Sequence, residues 1–492
     1  MHYHSLLQLL ATITFISTAF TKPLPQAGED HSKIHRVPAA SSPKNGVVAL
    51  CKAYSKYGWT LPPKVAGKLA AISIETSQKA AGNNNDAYSN NPPSSAPPSG
   101  HGVKTGTVSA TLANDNSEYL IPVQVGSQTL HMNLDTGSSD LWVFSTELES
   151  HERGSHTLYQ PPANNHIKGA SFNVSYGDDT SLTGSVAFDT VSIGGISVGN
   201  QALELPTDFS AGVLNDPSDG IIGLGFQSTN SICTSATLGD SQKSGDGTGG
   251  GKAEGEQKAI GTSSSCPAGY VPNPRPTWFE NARSGLVKGV FTANLKFGTP
   301  GYFGFGSIDH IAYKGDEINY VPVDNSRGFW GFRVGGYRVG GGAKGAKGFG
   351  NVESIADSGS SLLMLEPEVA KDYYGDVQGA VEGDGGWVFP CGEELPDFGF
   401  TVGEGDGGYE VVVEGKMVNY APTSDGKSEL MSYLERMRLG GTSADFMRFV
   451  VCYGGIQSNG GQGPQIFGDI MFKSQFVVFD YDGLRLGLAP HA

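Results

Sequence analysis

Two short copies of one pattern constrain this chain more than any other feature. The first is Leu134-Asp135-Thr136-Gly137-Ser138-Ser139, followed by Asp140-Leu141-Trp142-Val143. The second is Ala356-Asp357-Ser358-Gly359-Ser360-Ser361, followed by Leu362-Leu363-Met364-Leu365. In each, an Asp leaves a strand, hydroxyl–Gly–Ser–Ser makes a tight turn, and an apolar run re-enters a core. Glycine suits such a turn because it reaches positive φ without a Cβ clash. The hydroxyls are placed to hydrogen-bond the carboxylate and fix its direction. One copy alone says little, since Asp, Gly and Ser are ordinary turn residues. Each copy, however, has a partner downstream: Asp219-Gly220-Ile221-Ile222-Gly223-Leu224-Gly225-Phe226 and Gln465-Ile466-Phe467-Gly468-Asp469-Ile470. Both set two apolar residues before a Gly, as a buried strand packed closely against an Asp turn requires. The repeated unit implies two similar lobes, each offering one carboxylate to a shared cleft.

The rest of the chain suits that reading. Its 492 residues exceed one compact core, and its 71 Gly fit a loop-rich, mostly β protein. Strand-like runs stand at 120–125 and 130–134. Helical pattern is confined to 277–284 and 367–374, where Pro367 suits a helix start. Four stretches read as insertions: 227–275, 341–350, 403–408 and 427–449. The run from Gly403 to Gly408 matches G-x-G-x-x-G but precedes another strand-like run, so it reads as a polar hairpin loop rather than a nucleotide site. With 33 Lys+Arg against 49 Asp+Glu the chain carries −16, which disfavours nucleic acid and anionic membranes as partners. No Cys-x-x-Cys or HExxH spacing occurs, so neither a metal nor another cofactor is expected.

The N-terminal region differs from the body. Residues 6–20 are apolar, end in small residues and are too short to span a bilayer, so residues 1–20 read as a secretory signal peptide and the protein as secreted. Residues 21–105 hold ten Lys/Arg against four Asp/Glu, leaving 23 basic and 45 acidic groups beyond them. A segment of net +6 thus precedes a body of net −22. Within it, residues 82–102 are Asn/Pro/Ser/Gly-rich and read as a linker open to proteolysis. Cys233 and Cys266 flank the largest insertion and are placed to staple it. Asn173-Val174-Ser175 is a glycosylation sequon on a strand-like run, open to either a glycan or an unmodified strand residue.

Taken together, these motifs resemble the pepsin-type aspartic protease family, in its secreted fungal, penicillopepsin- and aspergillopepsin-like branch. Further stretches carry the likeness: Glu118-Tyr119-Leu120 with Pro122-Val123, Ser175-Tyr176-Gly177-Asp178, Asn419-Tyr420-Ala421-Pro422, Cys452-Tyr453-Gly454-Gly455-Ile456-Gln457-Ser458-Asn459, and the run from Ile466 to Pro490. The resemblance implies a bilobal β fold with lobes at 106–300 and 301–492, preceded by a propeptide and linker at 21–105. It implies a monomeric endopeptidase acting on extended peptides in acid. The alternative is a protease-like binding protein without catalysis; such proteins usually lack an Asp or the flap Tyr, and both are present here.

By this resemblance Asp135 and Asp357, 222 residues apart, form the catalytic pair. Two carboxylates a few ångströms apart cannot both ionise cheaply, so they hold one proton between them. The ionised member takes a proton from a bound water, and the protonated one hydrogen-bonds the scissile carbonyl. Thr136 and Ser358 are expected to brace the two loops, and Ser138 and Ser360 to bond the carboxylates. Tyr176, Gly177 and Asp178 take the place of the flap, with Trp142 facing the Tyr176 hydroxyl. Cys391 and Cys452 match the family's C-terminal disulfide. The stretch Ala53-Tyr54-Ser55-Lys56-Tyr57-Gly58 resembles the prosegment element that caps the catalytic pair. Lys56 is the candidate cap and Lys52 the alternative. Asp178 is either a turn residue or a partner for a substrate Lys before the cut. Cys51 would leave with the propeptide.

Overall fold

The computed structural model describes residues 44–68, 104–113, 116–175, 181–209, 217–239, 266–315, 317–343, 347–348, 353–403, 408–423 and 450–492. The leader, the 82–102 linker, the flap residues 176–178 and the insertion at 427–449 lie outside them. The described residues are mostly β, as the turn-rich, alternating sequence suggests, in three sheets. No described helix is long and apolar enough to cross a membrane.

Six antiparallel strands from both halves of the chain share the end of the largest sheet. Gly106–Ala113 pairs with Thr299–Phe305, and that strand with Val290–Lys296. Gln475–Asp480, Arg485–Pro490 and Asn319–Pro322 follow in order. Over this floor Phe291 stacks on Phe479 at 4.4 Å, and Trp330 meets both edge-on. Trp330 is fully buried, and its Nε1 donates to Leu224 O at 2.8 Å. That bond fastens the second half of the chain to the loop beside the first Asp.

Each Asp turn sits in the same three-stranded frame. Gln128–Asp135 runs parallel to Gly220–Gly223, against which Leu141–Val143 returns antiparallel. Glu353–Ala356 runs parallel to Gln465–Phe467, against which Leu363–Leu365 returns antiparallel. The expected apolar-apolar-Gly partner is therefore the central strand of each frame. A Cβ on Gly223 would lie 2.5 Å from Ser139 C, and one on Gly468 would lie 2.4 Å from Ser360 O. Only glycine permits that approach.

The two helical patterns are helices Trp278–Ala282 and Pro367–Gly375. The first starts at a capping box, Thr277 with Glu280, and the second at Pro367. Strands Phe398–Val402 and Tyr409–Val413 pair as a hairpin across residues 403–408, so the G-x-G-x-x-G run opens no helix. Disulfides join Cys233 to Cys266 and Cys391 to Cys452, with separations of 33 and 61 residues; Cys51 is buried and in neither disulfide. Asn173 is half-buried on strand Ala170–Ser175, opposite Thr183.

Candidate active site

The two frames bring Asp135 and Asp357 together at a buried place, 3% and 0% exposed. Their loops grip each other through the predicted brace. Thr136 N donates to Ser358 Oγ (3.1 Å) and Ser358 N to Thr136 Oγ1 (2.9 Å). Thr136 Oγ1 then donates to Ala356 O (2.9 Å) and Ser358 Oγ to Leu134 O (2.7 Å). All four bonds cross between the loops, and the Ser358 hydroxyl takes part in two of them, once as acceptor and once as donor. The structure corrects one reason given for the glycines: neither Gly137 nor Gly359 takes positive φ. They are needed for close approach. A Cβ on Gly137 would lie 2.4 Å from Asp357 Cγ, and one on Gly359 would lie 2.4 Å from Asp135 Oδ1.

A third group stands between the carboxyls. Helix Gly46–Lys56, capped by the Asn45 side chain, delivers Lys56 Nζ to within 2.6 Å of Asp135 Oδ1 and 2.7 Å of Asp357 Oδ1. The next residue adds a bond absent from the sequence reading: Tyr57 Oη donates to Asp357 Oδ2 at 2.8 Å. The adjacent position in the same Lys-Tyr element was the available signal. Lys52, the alternative cap, lies away from the pair with its side chain 49% exposed and 3.4 Å from Glu118.

The donors divide unequally. Asp357 accepts from Gly359 N, Ser360 Oγ, Lys56 Nζ and Tyr57 Oη. Asp135 accepts from Gly137 N, Ser138 Oγ and Lys56 Nζ. For Asp135, burial and the neighbouring Asp357 outweigh Lys56, and its carboxyl is raised above the ordinary range. For Asp357, burial acts upward, but the Lys56 charge and the donated hydrogen bonds outweigh it and hold the carboxyl below the ordinary range. The shared cation and the larger set of donors thus favour the charged form of Asp357 more than that of Asp135. Burial opposes the charge on Lys56, yet the two carboxylates raise it further and keep the ammonium. Burial, then Asp357, pushes the Tyr57 phenol well above its usual value.

Apolar packing holds this segment in place. Val47, Leu50, Tyr54, Tyr57, Trp59 and Val65 are buried in one cluster with Phe329, Met364, Val388, Tyr420 and Tyr453. Six such side chains, at about 1.5–3 kcal/mol each, far exceed what exposed ion pairs contribute. Trp59 stacks on Tyr57 at 5.4 Å, and Tyr54 Oη donates to Ser458 O. Gln462 clasps the backbone of Thr60 from both sides: Thr60 N donates to its Oε1 (2.7 Å), and its Nε2 donates to Thr60 O (2.9 Å). On the other side of the dyad, Trp142 is buried and its Nε1 has no acceptor among the described residues. Tyr176, its expected partner, lies outside them with Gly177 and Asp178.

The sequence profile of the eukaryotic aspartyl protease family matches residues 118–240 and 276–491. The chain belongs to that family. Aspergillopepsin-1 of Aspergillus clavatus is 39% identical over 379 residues, covering 76% of this chain and 79% of its own. Penicillopepsin-3 of Penicillium janthinellum is 37% identical over 389 residues, covering 78% and 82%. Penicillopepsin-1 of Penicillium rubens is 38% identical over 392 residues, covering 79% and 82%. The profile begins at Glu118, beyond the Lys56 segment, and its break at 241–275 falls on the largest insertion, which Cys233 and Cys266 close.

Proposed function

We propose that this aspartyl protease is a secreted endopeptidase held latent by its own residues 21–105 and released by acid. The observation that carries the reading is the single ammonium of Lys56 bonded to both carboxyls of a buried Asp pair. It takes the position between them that a nucleophilic water needs. Once it leaves, Asp135 and Asp357 share one proton. The ionised member accepts a proton from water, and the protonated member polarises the scissile carbonyl and then supplies the leaving nitrogen. Ser138 and Ser360 hold the outer oxygens, at 2.5 and 2.6 Å, so the inner pair keeps its direction. The brace of Thr136 and Ser358 keeps the two carboxyls at a fixed distance. Tyr176 and Gly177 close over the peptide, with Trp142 Nε1 left to meet the Tyr176 hydroxyl. Acid proteolysis that is insensitive to chelator and to serine-protease inhibitor, and abolished by pepstatin, tests the reading. Persistence of activity under pepstatin would contradict it.

The lobes at 106–300 and 301–492 act as one monomer on an extended peptide, with large apolar residues favoured on both sides of the cut. Asp178 adds a preference for Lys before the cut. A long ammonium side chain can lay its methylenes along apolar surface and reach its charge to the Asp178 carboxylate. Such a screened pair is worth roughly 1 kcal/mol, a several-fold effect. In matched peptides carrying Lys or Leu before the cut, Asp178→Asn is expected to lose Lys cleavage several-fold and keep Leu cleavage. Equal loss on both would make Asp178 a turn residue only.

A further inference from the structure

A second pair of carboxyls lies behind the first catalytic turn. Asp140 is five residues beyond Asp135, and its backbone carbonyl accepts Gly223 N at 2.8 Å, inside the frame that holds that turn. Glu204 comes from the long strand Ile196–Phe209, opposite Trp142 on one side and Val186 on the other. Both side chains are buried, at 5% and 0% exposure. They share Asn230: its Nδ2 donates to Asp140 Oδ1 (2.9 Å) and to Glu204 Oε1 (3.0 Å). Ser231 N also donates to Asp140 Oδ1, at 2.7 Å.

No cation pairs with either carboxyl among the described residues. The nearby Arg275 gives its backbone N–H to Asn230 Oδ1 but lays its guanidinium over the Phe188 ring, 6.0 Å away. Glu280, on the adjoining helix, is engaged by Thr277 N, Gln227 N and the Tyr481 hydroxyl. The strands Leu141–Val143 and Ser181–Ile193 bring only Trp142 and Val186 opposite Glu204. Glu204 Oε2 is buried without a donor among the described residues, which a neutral carboxyl tolerates and a carboxylate does not.

We propose that Asp140 and Glu204 act as positioning residues for Asp135, holding its turn in place only while they keep a proton between them, and that ionisation of this pair sets the upper pH limit of the folded protease. Neither carboxyl touches the peptide. Burial raises Asp140 to about 6, against opposing bonds from Ser231, Glu204 and Asn230; burial and then Asp140 push Glu204 well above its ordinary value. A carboxyl raised on folding binds its proton more tightly in the native state. Its contribution to stability is complete below the unfolded value of about 4 and is lost as pH rises through the folded one. The native frame therefore loses stability from about pH 4 upward, with the Asp140 share gone by about pH 6 and the Glu204 share lost beyond it.

The inference depends on the proposed activity only for one of its two readouts. Asp140→Asn and Glu204→Gln each replace a neutral acid by an amide of similar shape that cannot ionise. The protein, its linker cut by an added serine protease, is held at a series of pH values, and both its melting temperature and its residual activity at about pH 4 are measured. Both variants should melt like the parent near pH 4 and lose stability less steeply as pH rises above it. Their half-inactivation pH should rise by about one unit, and activity at pH 4 should stay within about threefold. An unchanged pH of half-melting in both variants would overturn the proposal. So would failure of both to fold at pH 4, where the parent pair is neutral and an amide should serve. If the melting limit moves but no variant or parent cleaves peptide, the catalytic reading fails and this one stands.

Discussion

Asp357→Asn is expected to lower kcat for peptide hydrolysis in acid by about 10⁴-fold, the scale of loss when one member of a mutually dependent catalytic set is removed. Asp135→Asn should cost about as much, and the double substitution little more than either, because the two carboxyls act as a unit. KM should change little, since the cleft outside the dyad is intact. The parent and the variants are compared after an added serine protease has cut the linker, because a variant cannot convert itself. Asn keeps the size of Asp, and the Thr136–Ser358 brace is made by backbone and hydroxyl groups, so the variants should fold. Activity above about a tenth of the parent's in either variant would mean that the pair is not the catalytic centre.

Lys56→Ala is expected to remove latency at neutral pH, whereas Lys52→Ala leaves it intact. Removing the shared cation leaves a buried carboxylate unpaired, a loss of about 3–5 kcal/mol, which is roughly 10²–10⁴-fold in the closed population. The apolar face from Val47 to Val65 still binds, so the segment loosens over the dyad rather than leaving outright. Tyr57→Phe should have a smaller effect in the same direction, because it removes one of four donors to Asp357. The sign of the pH dependence follows from the two carboxyls separately. Asp135 is raised, so its contribution is complete in acid and lost as pH rises. Asp357 is lowered, so its contribution is present above the ordinary Asp value of about 4 and lost as pH falls through the folded one. Protonation of Asp357 is the step that releases Lys56, and parental conversion should begin below about pH 4. Conversion assayed by mass against pH checks this; a Lys56→Ala precursor as stable as the parent near neutrality would contradict it.

Much of this site is legible in the sequence because it is built twice. The paired Asp turns and their apolar-apolar-Gly partners are local patterns, and the strand frames around them follow from the chain's own periodicity. Lys56 is legible through a short motif, and Tyr57 stands in that motif, but its reach to Asp357 depends on the exit angle of a helix. The glycines of the turns are legible by position but not by cause, since the Cβ clash comes from the opposite lobe. Asp140 and Glu204 are 64 residues apart on different elements, and each alone looks like a solvated acid. Only the fold shows that one asparagine, Asn230, joins them in the core. Gln462 is hidden for a similar reason: it sits in a Gly-rich turn and acquires meaning only when Thr60 lies against it.

The most direct measurement is to acidify the purified full-length chain, sequence the N-terminus it acquires, and identify the peptides it releases from a denatured protein, with and without pepstatin. A latent aspartic endopeptidase capped by Lys56 predicts an intact chain near neutral pH. In acid it predicts a new N-terminus within residues 82–107 and cuts between large apolar residues, with pepstatin blocking both events. A chain that cleaves protein near neutral pH with residues 21–105 still attached, or that converts in acid despite pepstatin, would contradict it.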